Sequence, residues 1–135
     1  MEQVYERVSV QEMRRNQPTY ARNIRAGMWA WLLHRVTGLA LVFYLVLHVW
    51  VLSSAIGGPA TFDAMLGYLQ TPFWVALDLG LLAAVTFHAL NGLRLIFFDL
   101  GYGVRSQAAL FWVVLILSAL VVAFAGIRVW PHLAG

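Results

Sequence analysis

The sequence has no cysteine and no lysine, and charged residues make up only 11% of its 135 positions. The lack of cysteine excludes disulfide bonds, thiolate metal sites and cysteine-ligated iron–sulfur clusters from this chain. Soluble domains carry about 25% charged residues, so the low charge content argues against a soluble domain and a disordered chain. Hydrophobic residues reach 61%, more than a soluble protein of this size can bury. The composition therefore predicts an integral membrane protein.

Three apolar stretches are each long enough to cross a bilayer as a helix, which takes about 20 residues. They run over about 28–55, 72–98 and 108–129. Aromatic residues typical of headgroup depth stand near their ends: Trp29, Trp31, Tyr68, Trp74, Tyr102, Trp112 and Trp130. We predict an all-α protein with a three-helix transmembrane domain over 28–130, an N-terminal arm over 1–27 and a short outer tail over 131–135.

The arginines are concentrated at one end of the chain and predict its orientation. Six of the nine precede or open the first apolar stretch: Arg7, Arg14, Arg15, Arg22, Arg25 and Arg35. The connection over 56–71, predicted to be a loop, has none, whereas Arg94 and Arg105 flank the second connection. Because positive residues favour the cytoplasmic side, the N-terminus is expected in the cytoplasm and the C-terminus outside, with Arg128 as a minor counter-signal. This asymmetry explains the net charge of +3 without a nucleic-acid partner.

Two histidines lie deep in the predicted spans, where ionisable groups are costly and usually functional. With a rise of 1.5 Å per residue, His48 falls in the outer half of the first helix and His88 in the inner half of the second. Their separation along the membrane normal is about 12 Å. The two histidines are therefore not expected to bind one metal together.

Neutral imidazole is a good axial ligand for haem iron, and Ala84 and Gly92, one turn before and after His88, are small enough to leave room for a flat macrocycle. One chain would supply one ligand per haem, so a partner helix would supply the other. The alternative is that each histidine only hydrogen-bonds across a helix interface.

Other polar residues within the spans leave alternatives open. Arg94 lies six residues after His88, where it would bind a haem propionate through its bidentate fork or extend to the membrane surface. Asp78, about 7 Å inside the outer helix end, would serve in a proton path or pair with an interfacial or partner group. Asn91 is predicted to hydrogen-bond a neighbouring helix.

The stretch GMWAWLLHRVTGLALVFYLVLHVWVL, followed by FHALNGLRLIFFDLG, resembles the cytochrome b membrane anchor of succinate dehydrogenase. The shared motif residues are His34, Arg35, Thr37 and Gly38 in the first helix, and His88, Gly92, Leu93, Arg94, Asp99 and Gly101 in and after the second. The resemblance covers about residues 27–101, and the three-helix layout extends it over most of the chain.

The resemblance implies that His88 is the axial ligand of the haem b nearer the cytoplasm and that His48 serves a distal haem, as in two-haem members. It implies that Arg35 is the quinone-site arginine and that His34 approaches a haem propionate. Some relatives place a serine contacting the quinone where this chain has Trp31, so a naphthoquinone stacked on Trp31 is conceivable.

The resemblance also implies a second membrane-anchor subunit, and flavoprotein and iron–sulfur subunits on the cytoplasmic side, because this chain has no flavin fingerprint and no cysteine. The chain would perform no succinate chemistry, and would pass electrons to membrane quinone in the tricarboxylic acid cycle and respiratory chain. The arm over 1–25 would dock on the iron–sulfur subunit or be a disordered tail.

Two alternatives stay open: a fumarate reductase anchor, and a haem-free structural anchor. A self-sufficient transmembrane cytochrome would need paired histidines at equal depth, which the offset of His48 and His88 opposes.

Overall fold

The structure, a computed structural model, describes the backbone of residues 2–134 and the side chains of residues 22–131. It contains four α-helices: α1 (Glu2–Ser53), α2 (Pro59–Leu69), α3 (Pro72–Asp99) and α4 (Gln107–Ala134). Three segments are long and apolar enough to cross a membrane: Arg22–Gly57, Pro72–Asp99 and Val104–Pro131. The prediction of an all-helical, multi-pass membrane protein with three spans is confirmed. The side chains of residues 1–21, which form most of the predicted docking arm, lie outside the described residues.

The first connection differs from the predicted loop, because α2 occupies 11 of its residues. Gly58 has a φ of 93°, a left-handed conformation that favours glycine, and Pro59 then opens α2 with its φ already suited to a first helical turn. Phe62, Met65 and Leu69 are the larger apolar side chains of α2 that are half-buried. Their spacing of three and four residues is helical, so the prediction of a loop over 56–71 is wrong.

The second connection is a tight turn, as its glycines predict. Gly101 and Gly103 have φ values of 85° and 73°, which other residues rarely adopt. A Cβ atom on Gly103 would lie 2.8 Å from Cδ1 of Leu110, a side-chain end that can shift, so the positive φ is the main reason for glycine there. This turn brings the end of α3 directly beside the start of α4.

The three spanning helices pack closely at only one end of the bundle. The buried side chains belong to the first part of the α1 span, the last part of α3 and the first part of α4: Ala26, Ala30, Phe87, Asn91, Arg94, Ala108, Phe111, Val114 and Ser118. We define the closed end as residues 22–38, 87–99 and 107–118, and the open end as residues 39–53, 72–86 and 119–131. None of the described open-end side chains is buried.

Small and polar residues explain the close packing at the closed end. Ala26, Ala30 and Ala108 are buried, and small residues let membrane helices approach each other. Asn91 is completely buried, and its Nδ2 donates to the carbonyl of Ala30 over 3.4 Å. The predicted hydrogen bond from Asn91 to a neighbouring helix is thus confirmed. Such bonds contribute on average about 0.6 kcal/mol in membrane proteins, and this one fixes α3 against α1.

Candidate functional site

The rings of His34 on α1 and His88 on α3 stack on each other at the closed end. Their centroids are 3.9 Å apart and their planes differ by 11°. A Cβ atom on Gly38 would lie 3.0 Å from Cε1 of His88, and one on Gly92 would lie 3.6 Å from Cε1 of His34. The two glycines therefore make room for the stacked pair. The ring of His34 lies beside Gly92, so this small residue lets α1 approach α3 closely.

The hydrogen bonds around His88 determine which of its ring nitrogens carries the proton. Its Nδ1 lies 3.1 Å from the carbonyl oxygen of His34 and 3.2 Å from Oγ1 of Thr37. The hydroxyl of Thr37 donates its proton to the carbonyl of Leu33 over 2.8 Å, so towards His88 it acts as an acceptor. With acceptors on both sides, Nδ1 carries the proton and the lone pair is on Nε2.

This arrangement around His88 fits a metal ligand. Histidines that bind metals commonly donate the proton of the other ring nitrogen to a backbone carbonyl, which fixes the tautomer and the ring orientation. In His88 the carbonyl of His34 is that acceptor, and Nε2 keeps the lone pair that an iron atom requires. The chemistry of the site therefore suits an axial haem ligand.

His34 presents a different feature, because its own Nδ1 is buried and has no hydrogen-bond partner among the described residues. A buried polar atom without a partner costs free energy. The packing of α1 and α3 thus leaves one polar atom of the stacked pair unsatisfied among the described residues.

Trp31 and Arg35 form an exposed pair next to His34. They are one helical turn apart on α1, and the guanidinium carbon of Arg35 lies 4.1 Å from the centroid of the Trp31 ring. Both side chains are exposed, so they lie outside the packed core. The structure thus joins two residues that the sequence suggested for one quinone site.

Arg94 is buried at the interface between α3 and α4 and does not extend to the membrane surface. Its Nη1 donates to Oδ1 of Asn91 over 3.1 Å, and its Nη2 donates to the carbonyl of Gln107 over 3.3 Å. Two of its donors are thus used to hold the closed end together, and Nε has no partner among the described residues. The spacing from His88 alone could not reveal this, because it depends on where α4 packs.

His48 lies at the open end and is exposed. The hydroxyl of Tyr44, one turn earlier on α1, lies 3.2 Å from its Nδ1. A tyrosine hydroxyl can donate or accept, so this contact does not fix the tautomer of His48. Asp78 on α3 is exposed at the same end. In residues 22–131, no group of three or more His, Asp or Glu residues is placed to hold a metal ion.

Comparison with known proteins agrees with the resemblance noted from the motifs. Residues 11–127 match the family described as succinate dehydrogenase/fumarate reductase transmembrane subunit. The chain is 44% identical over 98 residues to the succinate dehydrogenase hydrophobic membrane anchor subunit of Halobacterium salinarum, covering 72% of this chain and 75% of that protein. It is 37% identical over 111 residues to the succinate dehydrogenase 2 membrane subunit SdhC of Mycobacterium tuberculosis, covering 78% and 82%.

A third relative is the succinate dehydrogenase cytochrome b556 subunit of Paracoccus denitrificans, 35% identical over 75 residues, which cover 56% of this chain and 58% of that protein. The motif residues His34, Arg35, Thr37, Gly38 and His88 all lie within the matched family region. The chain therefore belongs to the family of succinate dehydrogenase and fumarate reductase transmembrane subunits.

Proposed function

We propose that this chain is the haem b-binding membrane anchor of a succinate:quinone oxidoreductase and passes electrons from an iron–sulfur subunit to membrane quinone. The observation that carries the proposal is the environment of His88, whose Nδ1 faces two acceptors while Nε2 keeps its lone pair. Membership of the family supports an anchor that associates with catalytic subunits, and the name of the Paracoccus relative includes cytochrome b556.

In this proposal Nε2 of His88 would hold haem iron, and a partner anchor subunit would supply the other protein ligand. The carbonyl of His34 and the hydroxyl of Thr37 keep the imidazole in the tautomer that can bind metal. His34 would approach a haem propionate, as the motif resemblance implies, and its Nδ1 has no partner among the described residues. When bound, haem b supplies a reversible one-electron carrier within the membrane.

Trp31 and Arg35 form the quinone-binding surface of the proposal. The guanidinium of Arg35 donates hydrogen bonds to a quinone carbonyl, and its positive charge favours the reduced oxygen that develops there. The exposed indole of Trp31 offers a flat apolar face to the quinone ring. Because both side chains are exposed, a neighbouring subunit would complete and enclose the pocket.

His48 is the proposed ligand of a second haem near the opposite membrane face. Its side chain is exposed and only Tyr44 of the same helix contacts its Nδ1 among the described residues. The residues that orient His48 as a ligand would therefore come from the second anchor subunit, packed against the open end.

The two ends of the bundle are proposed to bind different partners. By the positive-inside rule, the closed end with its arginines faces the cytoplasm, where the flavoprotein and iron–sulfur subunits would bind. The large apolar side chains exposed at the open end, such as Phe43 and Phe124, would contact the second anchor subunit and lipid. The description of the family includes fumarate reductase, so an anchor that works in that direction is the alternative within the same architecture.

A haem-free structural anchor is a second candidate, because the bonds of His88 to α1 also stabilise the packing of α1 against α3. A pyridine haemochrome assay on the purified complex separates the two functions. We expect two equivalents of haem b per complex, which a redox-titrated visible spectrum should resolve as two transitions. A complex that is intact and active with an artificial electron acceptor, yet contains no haem, would show that the structural anchor is the correct function.

A further inference from the structure

A groove with a volume of about 340 Å³ lies between α1 and α4 at the closed end. The residues that line it include Arg22, Arg25, Trp29, Ala108, Phe111 and Trp112. Neither Trp31 nor Arg35 lines this groove, so it is separate from the proposed quinone surface. No function described above uses it.

The chemistry of the groove changes along the membrane normal. Arg22 and Arg25 are exposed and supply positive charge at the mouth of the groove, on the arginine side of the membrane. Ala108 and Phe111 are buried and form an apolar floor on α4. The helical rise from Arg22 to Trp29 is about 10 Å, so the groove leads from a charged mouth into an apolar channel within the span.

We propose that this groove binds an anionic phospholipid from the leaflet on the arginine side of the membrane. Arg22 and Arg25 would hold its phosphate, since one guanidinium group can donate two parallel hydrogen bonds to phosphate oxygens. An acyl chain would pack against Ala108, Phe111 and Trp112. Basic pockets between membrane helices are known to bind anionic lipid headgroups, and among residues 22–131 no acidic side chain lines the groove.

A lipid fits the groove better than an acidic surface of a soluble subunit does. Such a surface would satisfy Arg22 and Arg25 but would not fill the apolar channel below them. Trp29 and Trp112 are exposed, and tryptophan prefers the depth of the lipid headgroups. The charge at the mouth and the apolar floor together match one molecule with a charged head and a hydrocarbon tail.

Native mass spectrometry of the purified complex, titrated with phosphatidylglycerol or with phosphatidylcholine of the same acyl chains, tests the proposal. We expect phosphatidylglycerol to stay bound under conditions that remove phosphatidylcholine. The double variant R22Q/R25Q should bind phosphatidylglycerol at least about tenfold more weakly, because each arginine near an anionic lipid contributes substantially to binding. The control R128Q removes a positive charge at the open end, away from the groove, and should bind it as the natural sequence does.

A second variant, Trp112→Ala, removes the apolar wall without changing charge and should weaken phosphatidylglycerol binding while leaving Arg22 and Arg25 in place. A loss in R128Q equal to that in R22Q/R25Q would overturn the proposal, since it would mean unspecific electrostatic attraction. Equal retention of both lipids would do so as well. Release of the catalytic subunits from R22Q/R25Q with unchanged lipid binding would show that the arginines hold protein instead. The haem spectrum should be unchanged in all these variants, so this test is independent of the proposed function.

Discussion

The closed end and the open end of the bundle differ in what completes them. At the closed end, the chain's own residues bury a core and satisfy Asn91 through bonds from α1 and α3. At the open end, large apolar side chains such as Phe43 and Phe124 are 66% and 63% exposed. In a bilayer these side chains contact lipid or another protein. The helix packing of one end is therefore specified largely by this chain, whereas the packing of the other depends on its surroundings.

The same difference applies to the two histidines proposed as haem ligands. His88 is oriented by Thr37 and by the carbonyl of His34, both within this chain. The side-chain hydrogen bond of His48 among the described residues is to Tyr44 of its own helix. We therefore expect the environment of His88 to exist before any partner binds, and that of His48 to form on assembly.

The largest expected effect is the loss of a haem. His88→Ala should remove one haem b from the purified complex and His48→Ala should remove the other, because each substitution deletes an axial ligand. Pyridine haemochrome quantification and low-temperature visible spectra give the count. If both variants kept all their haem, the assignment of both ligands would be wrong. If only His48→Ala kept all its haem, His48 would not be a haem ligand.

The next effect concerns the exposed pair at the closed end. Arg35→Ala should lower the rate of quinone reduction by about 10²-fold, the usual loss when a donor to a developing oxyanion is removed, without changing haem content. Arg128→Ala is a matched control, since Arg128 also lies over an aromatic ring, Phe124, one turn away but at the open end. Succinate oxidation with an artificial acceptor should be normal in both variants. Equal quinone reduction in the two would remove Arg35 from the site.

A smaller effect is expected from Thr37→Val, which removes one acceptor from Nδ1 of His88 and keeps the shape of the side chain. Loss of such an outer partner typically lowers metal affinity by about 10–100-fold, and we expect the low end because the carbonyl of His34 is retained. Haem retention during detergent dialysis and the reduction potential of the closed-end haem measure it. Thr37→Ser should restore both values, and a shift in the other haem instead would contradict the assignment.

The smallest expected effect is a difference in stability between alanine substitutions at a closed-end glycine and at an open-end glycine. Gly38→Ala places a methyl group 3.0 Å from Cε1 of His88, and such overpacking costs about 1–3 kcal/mol. Gly80→Ala at the open end meets nothing within 4 Å and should be neutral or slightly stabilising, because alanine favours a helix. Thermal unfolding of the complex gives the comparison. Equal unfolding temperatures would mean that the stacked histidines have space to move.

Much of this architecture could be predicted from local sequence, and the rest depends on how the helices rotate and pack. The three spans follow from the hydrophobic runs. The depth of His48 and His88 follows from their positions along these helices and the rise per residue. The stacking of His34 on His88 depends on which faces of α1 and α3 meet, and no single helix contains that information. The motif residues Thr37 and Gly38 were the available signal, because both contact His88 or the space beside it.

Two further features show the same limit. The spacing of Arg94 from His88 suggests a position near a haem, yet the packing of α4 buries Arg94 against Asn91 and Gln107. The helix α2 escapes prediction because the Gly57–Pro59 break dominates its first residues, although Phe62, Met65 and Leu69 have helical spacing. The position of Arg94 depends on contacts between segments distant in sequence. The helix α2 is short and directly follows glycine and proline residues, which usually end helices.

The acceptors of the His88 ring proton both belong to α1, which is synthesised before α3. When α3 is inserted, the threonine hydroxyl and the backbone carbonyl that select its tautomer are already in the bilayer. Docking of these two helices alone, before α4 is made, is then sufficient to prepare the ring for iron. The ring of His88 would thus be oriented before α4 is complete, and cofactor binding itself would await the ligand of the partner subunit.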